Sequence, residues 1–284
     1  EIGSGLVGSE MCIRDRPYKV IYKFSVMVII VIDVWDITIP ELTGQENRKI
    51  YIYLPNSYNE KPDEYYPVLY MFDGQNVFFD SDATYGKSWG LKEYLEYTNT
   101  QMIVVAPACN QNPDNGRLKE YTPYPFKDKT FGNIKSLGKI TMEWFVNELK
   151  PTIDNTFRTL SDRNNTFIAG SSMGGLMSLY AILEYNHIFS RAAALSPSIW
   201  TGPQKLAKMI KNANINPDTV VYMDYGTEEL PRYKHMIQKF AMISSVLMKK
   251  NIRLNARIVP NGTHSEASWE KQIPFFVETL LYEK

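Results

Sequence analysis

The chain has 284 residues, a length that suits one large α/β domain or two small ones. Hydrophobic residues make up 44% and charged residues 22%, an ordinary balance for a globular chain that buries a substantial core. The 31 basic and 31 acidic side chains cancel, so no basic surplus points to nucleic acid or to an anionic membrane surface.

Residues 5–16, Gly-Leu-Val-Gly-Ser-Glu-Met-Cys-Ile-Arg-Asp-Arg, resemble the translation of an adapter used in sequencing libraries. Residues 1–34 are therefore expected to be an extension outside the fold, and residues 35–284 a single domain. The apolar run 24–32 falls well short of the ~20 residues that span a bilayer and reads as a buried strand. Strands are then expected at 36–40 and 49–54, the second alternating through Ile50, Ile52 and Leu54. Residues 67–72 form a short apolar strand ending at the turn signal Asp73-Gly74. Residues 91–97 are helical, and the unbroken apolar run 102–106 suits the middle of a parallel sheet.

Residues 109–133, rich in Asn, Pro, Gly, Lys and Tyr, carry no period and read as a long loop. An amphipathic helix over 137–156 is interrupted by Pro151. Strands at 166–169, 191–195, 220–224 and 253–259 alternate with helices at 173–185, 203–211, 232–249 and 266–281. That alternation predicts an α/β fold with a mostly parallel central sheet and helices on both faces. The two cysteines, Cys12 and Cys109, have neither metal-type nor disulfide-framework spacing, which points to a reducing, cytoplasmic compartment.

The chemistry concentrates in Thr166-Phe167-Ile168-Ala169-Gly170-Ser171-Ser172-Met173-Gly174-Gly175-Leu176. A G-x-S-x-G centred on Ser172 stands between an apolar strand and an amphipathic helix, the context of a nucleophile elbow in an α/β-hydrolase fold. Glycine at 170 and 174 removes side chains that would collide in so tight a turn. The following helix aims its free N–H groups at the site. A Gly-rich phosphate loop is the competing reading, but G-x-G-x-x-G and the Walker lysine are both missing. Ser171 is a poor substitute, because its frame would need glycine where Ala169 and Met173 stand.

A serine hydroxyl needs a base, and the chain has three histidines. His264 follows the last strand in Pro260-Asn261-Gly262-Thr263-His264-Ser265, where the order nucleophile, acid, histidine requires it. His187 is expected to cap the helix after the elbow, and His235 to lie on the surface of a later helix. The acid should follow the strand 220–224, and the candidates are Asp224, Glu228 and Glu229. Glu229 is favoured, since a residue inside the strand reaches the His264 loop less easily.

The oxyanion donors are expected to be the backbone N–H groups of Met173 and of Gln75, the latter presented by the Asp73-Gly74 turn. A metal loop of Asp73, Asp80 and Asp82 lacks the calcium-loop pattern, so no metal is expected. Trp89, Tyr121, Tyr124 and Trp200 are candidate walls of the substrate pocket, with packing in the core as the alternative.

The segments Tyr53-Leu54-Pro55, Tyr70-Met71-Phe72-Asp73-Gly74-Gln75-Asn76, Glu120-Tyr121-Thr122-Pro123, Gly170 to Gly175, Leu195-Ser196-Pro197, Gly226-Thr227-Glu228-Glu229 and Gly262-Thr263-His264-Ser265 with Trp269 resemble a known family. It is the esterase family of α/β-hydrolases that includes esterase D, feruloyl and acetyl-xylan esterases, enterochelin esterases and the mycolyltransferase antigens. The resemblance implies a serine carboxylic-ester hydrolase with a Ser172–His264–acid triad, an acyl-enzyme intermediate and no cofactor. Gln75 takes the oxyanion position and Gly226 to Glu229 the acid segment. The expected partner is a small-molecule ester, acylated carbohydrate or small aromatic or acetyl esters, with no nucleic acid and no membrane. Acyl transfer by the same triad and siderophore-lactone hydrolysis are the alternatives. The esterase D branch, which acts on S-formylglutathione, carries a His-Gly loop motif not seen here.

Overall fold

The computed structural model describes residues 32–232 and 235–282. Residues 5–16, Cys12 and nearly all of the apolar run 24–32 lie outside the described residues. The described residues form one compact unit. In order it runs β1 (Ile32–Thr38), α1 (Pro40–Thr43), β2 (Asn47–Tyr53), β3 (Val68–Met71), α2 (Leu91–Tyr97), β4 (Ile103–Pro107) and α3 (Gly116–Glu120). Then come β5 (Phe126–Asp128), β6 (Gly132–Ile134), α4 (Gly138–Trp144), α5 (Lys150–Thr156), β7 (Thr166–Ser171) and α6 (Met173–Glu184). The last part holds β8 (Arg191–Leu195), α7 (Pro203–Asn212), β9 (Val220–Gly226), α8 (Met236–Met248), β10 (Arg253–Val259), α9 (Glu266–Glu270) and α10 (Ile273–Leu281).

Among the described residues, eight strands form one sheet in the order β1-β2-β4-β3-β7-β8-β9-β10. The five pairings from β4 through β10 are parallel, while β1–β2 and β2–β4 are antiparallel. This is the α/β-hydrolase architecture. Side chains alternate across each strand and so divide the core in two. Val68, Tyr70, Ile168, Val221 and Met223 face one layer, where they meet Phe145, Leu179, Leu206 and Ile243. Leu69, Met71, Phe167, Ala169 and Tyr222 face the other, where they meet Leu91, Trp269, Phe276 and Leu280. Burial on both faces explains why the central strands read as continuous apolar runs.

Several expected boundaries move. β1 begins at Ile32, so a domain start at residue 35 falls inside a paired strand. Pro40 opens α1 rather than closing a strand. Residues 109–133 hold α3 and the antiparallel pair β5–β6. The helix over 137–156 is not broken at Pro151. A π-helical turn, Phe145–Leu149, links α4 to α5, and Lys150 N–H donates to the Phe145 carbonyl. A proline ring clashes with the carbonyl four residues back in an α-helix, and the wider turn just before it relieves that clash. His235 takes a left-handed φ of 60° just ahead of α8 and so lies before the helix rather than within it. The last helix divides into α9 and α10, with Pro274 in the first turn of α10, where its missing N–H has no partner to lose.

The parallel strands all end at one edge, and the loops leaving β3, β7, β8, β9 and β10 meet there. Gly226 and Gly262 bring the last two of these loops into backbone contact. A Cβ on Gly226 would lie 2.1 Å from the Gly262 carbonyl oxygen. Gly226→Ala is expected to lower stability by about 2–3 kcal/mol through this overlap, read as a fall in the urea midpoint with an unchanged m-value.

Candidate active site

Ser172 stands between β7 and α6 with φ 58° and ψ −118°, a conformation strained for any residue with a side chain. The turn closes because Gly170 and Gly174 touch: a Cβ on Gly170 would lie 2.7 Å from the Gly174 carbonyl carbon. Three backbone hydrogen bonds pin the bend. Ser172 N–H donates to Leu195 C=O at 2.9 Å, and Ser172 C=O accepts from Ser198 N–H at 2.9 Å and Leu176 N–H at 3.1 Å. The hydroxyl is part-exposed and lines a cavity.

Ser172 Oγ lies 3.0 Å from His264 Nε2, and His264 Nδ1 lies 2.5 Å from Glu229 Oε2. Of the three acid candidates, Glu229 is the one brought to the imidazole. Its other oxygen accepts from Ser196 Oγ at 2.7 Å and Gly226 N–H at 3.0 Å, so donors hold both ends of the carboxylate. Glu229 is buried, while Glu228 is exposed with Thr227 as its hydrogen-bond partner. His264 also meets the Trp269 ring edge-on at 5.0 Å, and Trp269 Nε1 donates to Ser196 Oγ at 3.0 Å. His187 lies beyond α6 with its ring stacked on Tyr185, and neither it nor His235 lines this cavity.

Met173 is the first residue of α6, so its N–H has no intrahelical acceptor. Gln75 is the middle residue of a 3₁₀ turn, Gly74–Asn76, and lines the cavity beside Ser172. The Gln75 side chain is tied away to Cys109, accepting from its N–H at 3.1 Å and donating to Sγ at 3.3 Å. Asp73, which starts the turn at φ 61°, is gripped by the Arg117 guanidinium at 2.6 and 2.7 Å. Arg117 was not legible as a site residue, because its partner is 44 positions away. The three acids weighed as a metal loop have separate partners: Asp73 binds Arg117, Asp80 binds Ser88, and Asp82 binds Tyr51 and Lys49.

The cavity is about 850 Å³. None of Trp89, Tyr121, Tyr124 and Trp200 lines it. Trp89 packs in the core between Trp269 at 5.8 Å and Phe276 at 6.1 Å. Tyr121 is buried beside the Gly74–Asn76 turn, with its hydroxyl accepting from Asp73 N–H at 3.3 Å. Tyr124 is buried beside Gly202, and Trp200 packs on Phe126 at 5.7 Å. These rings therefore take the alternative given for them, packing, and their contacts hold the loops in place. The walls mix polar and apolar groups: Asn110, Gln111, Asn112 and Asn115 from the loop after β4 stand beside Pro113, Leu118, Trp269 and Tyr85, which is 81% exposed.

Residues 42–280 match the family described as "Putative esterase". The chain belongs to this esterase family. It is a carboxylic-ester hydrolase. It is similar to the "Uncharacterized protein YbbA" of Bacillus subtilis (strain 168), with 27% identity over 212 residues, 72% of this chain and 79% of that one. A second similar protein is an "Endo-1,4-beta-xylanase/feruloyl esterase" of Xylanibacter ruminicola, 31% identical over 153 residues and 51% of this chain. The match spans 19% of that longer protein. Among solved structures, an IroE-like serine hydrolase from Shewanella oneidensis superimposes with a TM-score of 0.68 over 87% of this chain and 78% of that one. At 19% identity that likeness concerns the fold. Among the described residues of the esterase, no helix is long and apolar enough to cross a membrane.

Behind the site the esterase buries a second carboxylate, Asp224, the least favoured acid candidate. It accepts from Ser196 N–H at 3.0 Å and Tyr222 Oη at 2.8 Å. Burial pushes its carboxyl from 3.8 up to about 7, against the lowering effect of those hydrogen bonds. The folded value lies above the unfolded one, so this group's contribution to stability is full below about 3.8 and is lost as pH rises through about 7. Asp224→Asn removes the titration. The difference in unfolding free energy between variant and wild type, measured in urea, should then move in favour of the variant as pH rises across that interval.

Proposed function

We propose that the esterase acts by a two-step acyl-enzyme route with Ser172 as nucleophile, His264 as general base then acid, and Glu229 orienting the imidazole. The single observation that carries this reading is the continuous line Ser172 Oγ–His264 Nε2, 3.0 Å, and His264 Nδ1–Glu229 Oε2, 2.5 Å. Ser172 Oγ attacks the ester carbonyl carbon as its proton passes to Nε2. Glu229 accepts from Nδ1–H and stabilises the imidazolium that forms. The carbonyl oxygen becomes an oxyanion held by the N–H groups of Met173 and Gln75 at the positive end of α6. As the tetrahedral centre collapses, the C–O bond to the alcohol breaks and Nε2–H protonates the leaving oxygen. Water then enters along the same path, its proton goes to His264, and the acid departs while Ser172 regains its proton.

The substrate this site fits best is an ester of a sugar or similar polyhydroxylated alcohol. Carboxamide side chains present a donor and an acceptor in one plane, a pairing suited to hydroxyl groups. The exposed Tyr85 ring at the cavity offers a flat face with a polar tip. Likeness to a protein named as a xylanase and feruloyl esterase points the same way.

Ser172→Ala should lower kcat on p-nitrophenyl acetate about 10⁴-fold or more and abolish labelling by a fluorophosphonate. Turnover persisting in that variant would overturn the reading. Glu229→Gln should lower kcat about 10³- to 10⁴-fold, because its amide N–H opposes Nδ1–H and forces the imidazole into the wrong tautomer. In a panel of short-chain, feruloyl and acetylated-sugar esters, kcat/KM should be highest for sugar-bearing members. Equal values for simple alkyl esters would sink the substrate class.

A further inference from the structure

Asn76 uses every polar group it has. Its backbone N–H donates to Asp73 C=O at 2.8 Å, closing the oxyanion turn, and its C=O accepts from Trp89 N–H at 2.9 Å. Its side-chain Oδ1 accepts from Thr84 N–H at 2.8 Å, and Nδ2 donates to Glu266 Oε1 at 3.2 Å. Asn76 is 8% exposed and Glu266 5%. Glu266 opens α9, two residues after His264, so this hydrogen bond joins segments 190 positions apart. One end is next to the oxyanion donor Gln75, and the other is next to the base. The same two segments also meet through the Lys87–Glu270 ion pair, but that pair is 40% exposed on each side and holds little. Trp89 and Trp269 touch as apolar rings, which sets no direction.

We propose that Asn76 and Glu266 are positioning residues: their buried hydrogen bond sets the distance between the oxyanion turn and the loop carrying His264. The inference rests on the roles given above to Ser172, His264 and Gln75. It assigns a task to the side chain that follows Gln75 and to an acid that takes no part in the proton relay. An oxyanion donor acts on the transition state, so its misplacement lowers kcat more than it alters KM. Charged groups facing Glu266 are Asp73, His264 and Arg117, and burial raises its carboxyl above the usual range.

Asn76→Asp keeps the shape and still accepts from Thr84 N–H, but it sets one carboxylate against another. The variant should lose at least about tenfold in kcat near pH 8, with KM changed less than about twofold. The ratio of variant to wild-type kcat should recover toward about pH 6, as the facing carboxyls come to share a proton. The double variant Asn76→Asp/Glu266→Gln reverses the polarity of the bond, because the amide introduced on α9 now donates to the carboxylate introduced on the oxyanion turn. It should return kcat to within about threefold of wild type. Rates on p-nitrophenyl acetate are divided by the sites titrated with fluorophosphonate, which removes any loss due to misfolding. A wild-type kcat in the single variant, or a double variant no better than the single, would overturn the strut. If the single variant fails to fold, an active double variant supports it and an inactive, folded one overturns it. Ser172→Ala run beside them separates the two ideas: turnover there within about tenfold of wild type condemns the nucleophile, while the expected loss of about 10⁴-fold leaves the strut to be decided by the single and double variants.

Discussion

Everything at this site hangs from one strained residue. Ser172 sits at φ 58° in the bend between β7 and α6, a conformation that costs on the order of 1–3 kcal/mol. The strain persists because its surroundings leave the backbone no other place. α6 is buried from Met173 through Leu183, packed against the sheet and its flanking helices, so the helix cannot retreat. β7 lies between β3 and β8 and cannot shift register without breaking two ladders. The bend between two immovable elements projects the side chain into the cavity.

The same device recurs around the edge of the sheet. Asp73, Ser196 and Asn261 also have positive φ, at 61°, 43° and 56°. Each follows a parallel strand and each has a polar tie: Asp73 to Arg117, Ser196 to Asp224, and Asn261 to Thr227. Left-handed backbone turns each loop sharply back over the strand ends, and the tie holds it there. The result is a rim of short, fixed loops around Ser172. Of these ties the one between Ser196 and Asp224 is buried, and a buried hydrogen bond is rigid only while both partners are satisfied. Two buried acids hold partners at this rim, Asp224 through Ser196 N–H and Glu266 through Asn76 Nδ2.

Much of this was legible along the chain. Apolar runs bounded by turn residues located the central strands, because burial on both faces removes the polar half of the alternation. The elbow was legible because strand, Gly-x-Ser-x-Gly and helix are contiguous, and the strain is local. His264 was legible from chain order, since parallel strands deliver their loops to one edge in sequence. The turn at Phe145–Leu149 was not, because a π-helical insertion leaves no mark in a hydrophobic period.

What the sequence determined by itself was the set of local events: which segments are strands, where the bend falls, which histidine follows the last strand. Tertiary structure alone decided which of Asp224, Glu228 and Glu229 meets the His264 ring, since the three lie within six positions and differ only in which way a turn points them. It also decided that Trp89, Tyr121 and Tyr124 pack in the core and that amides line the cavity. Side-chain direction across a loop depends on partners far away in the chain, such as Arg117 for Asp73 and Glu266 for Asn76. Such pairings come into being only when the sheet brings its loops together.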